Sequence, residues 1–139
     1  MNILFQTKPP PKELYHSLFE TTSWNREYQA TAEDLARAIA NSQFVVAAYD
    51  NENLVGFGRV LTDGVLYAMI YELIVHPDYQ GKGIGTQILQ RLVQWCNELH
   101  IRDIQLFCAR GKRSFYELNG FVARPEDAPG MQFRRPQPE

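Results

Sequence analysis

The stretch Val75-His76-Pro77-Asp78-Tyr79-Gln80-Gly81-Lys82-Gly83-Ile84-Gly85-Thr86 decides the fold. Before it lies an apolar run of strand character, residues 65–75. After it, residues 86–99 read as an amphipathic helix, with Ile84, Ile88, Leu89, Leu92, Cys96 and Leu99 on one stripe. A strand that runs through three alternate glycines into a helix makes an anion site. Several backbone N–H groups point out together there, and the helix dipole favours negative charge. Glycine permits positive φ and close approach of a phosphate. Lys82 adds a cation at the loop. Two well-known phosphate loops do not fit. The P-loop needs a Gly-Lys-Ser/Thr ending, and Gly85 is followed directly by Thr86. The dinucleotide fingerprint needs Gly-x-Gly-x-x-Gly, whereas the spacing here is Gly81-x-Gly83-x-Gly85.

Working outward, residues 2–6 predict a short strand. Pro9-Pro10-Pro11 then leads into a helix from Lys12, with Leu14, Leu18 and Phe19 at helical spacing. Thr31 with an acid three residues on, Asp34, predicts a capped second helix. The loop between the two, residues 21–29, carries Trp24 and Tyr28. Residues 44–49 and 54–62 predict strands joined by a polar turn at 50–53, and Asp63-Gly64 predicts a hairpin into the run 65–75. Beyond the central helix, residues 103–109 predict a strand. Residues 114–119 predict a helix with a Ser114/Glu117 capping box and Gly120 as its stop. Residues 121–123 predict a last strand, and 134–139 a frayed tail. The order β-α-α-β-β-β-α-β-α-β, with a parallel crossover through the central helix, predicts a mixed α/β sheet with helices on both faces.

These elements carry a family resemblance. Gln80-Gly81-Lys82-Gly83-Ile84-Gly85 resembles the Gln/Arg-x-x-Gly-x-Gly/Ala signature of the GNAT superfamily of acyl-CoA-dependent N-acetyltransferases. Leu73-Ile74-Val75-His76-Pro77 looks like that family's fourth strand and its exit. Phe115-Tyr116-Glu117-Leu118-Asn119-Gly120-Phe121 resembles its Tyr-x-x-x-Gly-Phe motif. The likeness covers residues 3 to 123. It implies a sheet splayed between its fourth and fifth strands and one acyl-CoA N-acyltransferase domain over 1–139. It implies that the loop, Gln80, Gly81, Lys82, Gly83, Ile84, Gly85 and Thr86, binds the coenzyme A pyrophosphate. It also implies that backbone groups at Ile74 and Val75 pair with the pantetheine arm, as an added strand pairs with a sheet edge. The chain departs from the family at Ala109-Arg110-Gly111-Lys112-Arg113, where many members carry an asparagine. Its three cations face either the phosphates or solvent.

The implied reaction is direct attack of a neutral primary amine on the thioester of acetyl-CoA. The departing thiolate takes a proton, and a phenol can supply one. Tyr116 stands where the family places this acid; packing against the cofactor is its alternative role. Glu72, on the opposite side of the strand from Leu73, is the candidate base, direct or through water. Its alternative is a structural carboxylate hydrogen-bonded within the sheet. Trp24, Tyr28, Phe107 and Met131 are candidates for an acceptor pocket. Three readings follow: a small-molecule N-acetyltransferase, which leads; a peptide or protein N-acetyltransferase; and an acetyl-CoA-binding sensor without turnover. Family analogy also allows a homodimer.

Composition bounds these readings. At 139 residues the chain has the length of one domain. With 14 basic and 16 acidic residues the net charge is −2, which argues against a nucleic-acid surface. Hydrophobic residues at 45% and charged residues at 22% predict a globular core rather than disorder. There is no apolar run of membrane-spanning length and no basic start followed by an apolar segment, so neither a membrane span nor a secretory signal is expected. Cys96 and Cys108 are expected as reduced thiols of a cytoplasmic protein. His16, His76 and His100 show no ligand spacing, so no metal is expected.

Overall fold

The computed structural model of the chain describes residues 2–136. The chain forms two compact units, Met1–Leu106 and Phe107–Glu139. The first holds a five-stranded sheet in the order β1-β2-β3-β4-β5. Its strands are β1 (Ile3–Gln6), β2 (Phe44–Asp50), β3 (Asn53–Thr62), β4 (Tyr67–Val75) and β5 (Asp103–Leu106). The first four pair antiparallel and β5 joins β4 in parallel. The helices of this unit are α1 (Lys12–Phe19), α2 (Asn25–Tyr28), α3 (Ala32–Ala40) and α4 (Ile84–Glu98), with a 3₁₀ turn at Pro77–Tyr79. The mixed sheet and the crossover β4–α4–β5 are those expected from the sequence.

Alternation along β3 assigns its two faces to different helices. Gly56 and Gly58 lie under α4, where a Cβ on either would come within 2.8 Å of Ile88 or Leu92. The absence of side chains there lets α4 sit close to the sheet. Phe57 and Arg59 face the other way. Phe57 packs edge-on against Tyr15 of α1, with centroids 4.5 Å apart. Tyr15, Leu18, Phe19, Leu35, Ile39, Phe57 and Ile74 form one buried cluster on that face. Thr31 closes α3 with the expected capping box: its hydroxyl accepts from Asp34 N–H, and the Asp34 carboxylate accepts from Thr31 N–H, each at 3.0 Å.

Several expected boundaries move, each for a local reason. The third meander strand begins at Tyr67, not 65, because Asp63 gathers the N–H groups of Val65, Leu66 and Tyr67 onto one carboxylate oxygen. The tight Asp63-Gly64 hairpin is therefore a longer loop. β5 stops at Leu106, paired with Ile70, just before the register of β4 against β3 shifts, and such an irregularity ends regular pairing. Leu99 is the C-cap of α4 and is exposed rather than part of its buried stripe. A single turn, α2, forms within the loop expected between the first two helices.

In the second unit, α5 (Arg113–Leu118) starts one residue early. Ser114 therefore falls inside the helix, and Glu117 accepts from Arg113 instead of completing a capping box. Residues 121–123 form no strand. Phe121 N–H closes α5 by donating to Tyr116 C=O at 3.0 Å, and the proline at 125 cannot continue a ladder. Of the tail expected at 134–139, residues 137–139 lie outside the described residues.

Candidate active site

The sheet opens at β4. β5 pairs with Tyr67 to Ile70 only, so from Tyr71 onward the outer edge of β4 has no partner strand among the described residues. On the inner side, Gly56 faces Val75 and Phe57 faces Ile74, but Arg59 faces Tyr71. β4 therefore holds one residue more than β3 across this interval, which is a β-bulge. Glu72 sits in the bulge with φ 50.

Register then decides which backbone groups face the open edge. His76 N–H donates to Val55 C=O at 2.8 Å, so in this antiparallel ladder Ile74 also bonds inward, to Phe57. The outward groups belong to Leu73 and Val75. This corrects one expectation: Val75 is available to an added strand, whereas Ile74 is not. The Val75 carbonyl accepts from Gln80 Nε2 at 3.0 Å, which ties the strand exit to the first residue of the loop.

The loop carries its glycines where the backbone needs them. Gly81 and Gly83 have φ of 77° and 83°, a region that L side chains avoid. Gly83 is also the N-cap of α4, and no side chain caps that helix. Its first internal bond runs from Gln87 N–H to Gly83 C=O, so the N–H groups of Ile84, Gly85 and Thr86 have no partner within the helix. Ile84 is buried and anchors the turn, while Gly81, Lys82 and Gly83 are exposed. Lys82 Nζ lies 5.6 Å over the Tyr79 ring. The Tyr79 hydroxyl donates to Asp50 Oδ2 at 2.6 Å, and this bond raises its pKa. The whole arrangement leaves a nest of free donors at the positive end of a 15-residue helix, beside an open strand edge.

The sequence makes Glu72 the candidate base, with a structural carboxylate as the alternative. The structure instead gives it a bidentate partner: Arg59 Nε donates to Oε2 and Nη2 to Oε1, the latter at 3.0 Å. This is the alternative role considered for it, a structural carboxylate within the sheet. Nearby, the Tyr15 hydroxyl is buried and has no hydrogen-bond partner among the described residues. Burial, with the Glu72 charge in second place, pushes its pKa well up.

Tyr116 lies on α5 and is buried, with Phe115 and Phe121 edge-on at 5.1 and 6.0 Å. Burial, helped by Cys108, pushes its phenol up to about 12. It therefore holds its proton across the physiological range. The four acceptor candidates differ in setting. Trp24 packs on Phe19 at 6.0 Å as part of the apolar cluster, and Tyr28 is 65% exposed. Phe107 and Met131 are exposed, and the Phe107 ring lies against Gly130. Among the cations at 109–113, Arg113 pairs with Glu117. Among the described residues no three His, Cys, Asp or Glu side chains are grouped to hold a metal ion, and no helix is long and apolar enough to cross a membrane.

Arg59 escaped the sequence reading. Its signal was present as a lone charge within the apolar run Leu54-Val55-Gly56-Phe57-Gly58-Arg59-Val60-Leu61. Pairing it with Glu72 requires the bulged register, which the sequence does not display.

Fold and site together define a class: a splayed mixed sheet with the free backbone donors of a helix N-terminus beside an open strand edge. Residues 11–121 match the acetyltransferase (GNAT) family, and the chain belongs to that family. A relative is the ycf52 N-acetyltransferase of Pyropia yezoensis, 34% identical over 98 residues, 68% of this chain and 56% of that protein. Two plant relatives bear names with different acceptors. Serotonin N-acetyltransferase 2 of Oryza sativa is 33% identical over 74% of this chain and 54% of its own length. Histone acetyltransferase TAP1 of Glycine max is 31% identical over 70% and 47%. The chain thus spans about half the length of the curated relatives it matches. In fold it resembles the Staphylococcus aureus protein SA2161, with a TM-score of 0.83 at 23% identity over 96% of this chain and all of that one. It also resembles the Thermoplasma acidophilum PaiA N-acetyltransferase, solved with coenzyme A, with a TM-score of 0.70 at 22% identity over 89% and 92%.

Proposed function

We propose that this chain transfers the acetyl group of acetyl-CoA to a primary amine on a small molecule. The observation that carries the reading is the nest of unpartnered N–H groups at Ile84, Gly85 and Thr86, set directly after the open edge of β4. A pyrophosphate suits such a nest, and amide groups of a pantetheine arm suit the outward backbone of Leu73 and Val75. The coenzyme A complex of the PaiA neighbour supports the same ligand.

Acetyl-CoA supplies the acetyl group activated as a thioester. The loop amides, with Lys82, bind its pyrophosphate, and the β4 edge orients its arm. The amine nitrogen attacks the carbonyl carbon directly, and the carbon–sulfur bond breaks. Tyr116, protonated at neutral pH, donates the proton that the departing sulfur takes, and the proton that the acylated nitrogen sheds passes through solvent and restores the phenol. The acceptor enters as the free amine, because Glu72 is engaged by Arg59. The arylalkylamine class is supported by the rice relative's name and by the aromatic residues Trp24 and Tyr28 around α2. A reducing compartment such as the cytoplasm fits two free cysteines, one buried and one exposed.

The test is free-thiol release from acetyl-CoA against arylalkylamines, polyamines, amino acids and short peptides. Release with an arylalkylamine or polyamine and not with peptides is the expected result. Release with peptides alone overturns the small-molecule acceptor. No release with any amine, while coenzyme A still raises the melting temperature, supports a binding module without turnover.

A further inference from the structure

The left-handed residue in the middle of β4 is not a glycine but Glu72, at φ 50. An L side chain is strained there and stays only where its surroundings hold it. The hold is visible. Arg59 grips the Glu72 carboxylate with two N–H groups, and its remaining Nη1 donates to Ala38 C=O at 3.3 Å and Ser42 Oγ at 3.1 Å. Ala38 lies in the last turn of α3 and Ser42 just beyond it. The Arg59 and Glu72 side chains are only 12% and 18% exposed, so solvent screens the pair weakly. The ring of Tyr71 lies 5.6 Å beneath the guanidinium. One side chain thus fastens the bulge to a helix on the far face of the sheet.

The bulge stands where β4 leaves β5, directly before the outward groups of Leu73 and Val75. Were β4 to run on from Tyr71 without the bulge, Leu73 and Val75 would stand opposite Phe57 and Val55, which would turn their groups inward and those of Ile74 outward. We propose that Arg59 is a positioning residue for acetyl transfer: it holds Glu72 in the left-handed bulge and so sets which β4 backbone groups meet the acyl-bearing arm. This rests on the proposed function. Glu72 acts here as a strut, and the acceptor's proton does not pass through it.

Four variants test the assignment: Arg59→Met, Arg59→Lys, Glu72→Gly and Glu72→Ala. Two readouts are taken: the ligand-free amide resonances of Leu73 and Val75, and kcat and KM for thiol release. Arg59→Met is expected to move both resonances and to lower kcat about 30-fold, with KM for acetyl-CoA within about threefold because the glycine loop is untouched. Arg59→Lys, which keeps a charge on Glu72, recovers kcat to within about fivefold of wild type. Glycine accepts φ 50 without help, so Glu72→Gly keeps kcat within about fivefold while Glu72→Ala loses about tenfold or more. If Arg59→Met does not fold, the two Glu72 variants decide alone. Wild-type resonances and kcat in folded Arg59→Met overturn the assignment. So does a Glu72→Gly enzyme as inactive as Glu72→Ala, because the carboxylate itself would then be required. If the wild type releases no thiol with any amine yet Arg59→Met moves both resonances, the strut is supported and the proposed function is overturned.

Discussion

Replacing Gly56 with alanine tests whether α4, and with it the glycine loop, is seated by close approach to β3. A Cβ at Gly56 would lie 2.8 Å from Ile88 Cδ1, 3.2 Å from Ile84 Cγ2 and 3.3 Å from Ala48 Cβ. Gly56 is not among the residues with positive φ, so alanine fits the backbone and gains about 0.4–1 kcal/mol through the unfolded chain. Forcing a methyl into a filled core costs about 1–3 kcal/mol. The net loss is about 1–2 kcal/mol. Ile88→Val, at a fully buried position, costs about 0.5–1.5 kcal/mol by itself. Valine lacks the Cδ1 that the new methyl would strike. The double variant is therefore expected to be about 1 kcal/mol more stable than the sum of the two losses. Gly58 supplies the control. A Cβ there would meet Leu92 Cδ1 at 2.8 Å and Ile88 Cγ2 at 3.0 Å, and valine keeps the Cγ2. Ile88→Val should not rescue Gly58→Ala. Urea unfolding of the six proteins, with equal m-values, measures each term. Strict additivity at Gly56, or equal rescue at Gly58, refutes the seating argument.

Tyr116→Phe keeps the packing with Phe115 and Phe121 but removes the proton donor. It should lower kcat about 10²–10⁴-fold while leaving coenzyme A affinity within about threefold. Because burial raises the Tyr116 pKa to about 12, the wild-type rate should climb with pH as the amine loses its proton and show no fall up to pH ~10. A descending limb below that pH that vanishes in Tyr116→Phe contradicts the raised pKa. Thr31→Ala removes half of the capping box and should cost about 1 kcal/mol in urea unfolding; an unchanged midpoint contradicts it. The backbone bond from Thr31, followed by the hydroxyl bond, holds the folded Asp34 pKa below its usual value. Its stabilisation is therefore complete above an unfolded pKa of about 3.9 and fades as pH falls through the lower folded value. Thr31→Ala should show less of that acid loss than wild type.

What was legible in the sequence was whatever one residue pattern fixes locally. The helix α4 and its glycine loop follow from an apolar stripe and three alternate glycines, and the Thr31–Asp34 box from two residues three apart. The parallel placement of β5 follows from a strand–helix–strand order that needs a crossover. What was not legible depends on register between strands. The bulge at Glu72 cannot be seen from alternation, because alternation is the rule it breaks. Its ion pair with Arg59, thirteen positions away, was hidden for the same reason. The inward turn of Ile74 and the early stop of β5 follow from that same bulge. The failed box at Ser114 has a simpler cause. A one-residue shift of the helix start moves the serine from cap to interior, and capping patterns do not fix boundaries that finely.

The central claim is that the loop Gln80–Thr86 binds the pyrophosphate of coenzyme A, and calorimetric titration tests it most directly. Coenzyme A would be titrated into the wild type and into Gly83→Asp. The backbone has room at Gly83, since no atom lies within 4 Å of an added Cβ, so the aspartate acts through its charge and the φ of 83°. The account predicts binding by the wild type and loss of at least about 100-fold in the variant, with cooperative unfolding retained. Equal affinity in the two proteins, or no binding by a folded wild type, would contradict it.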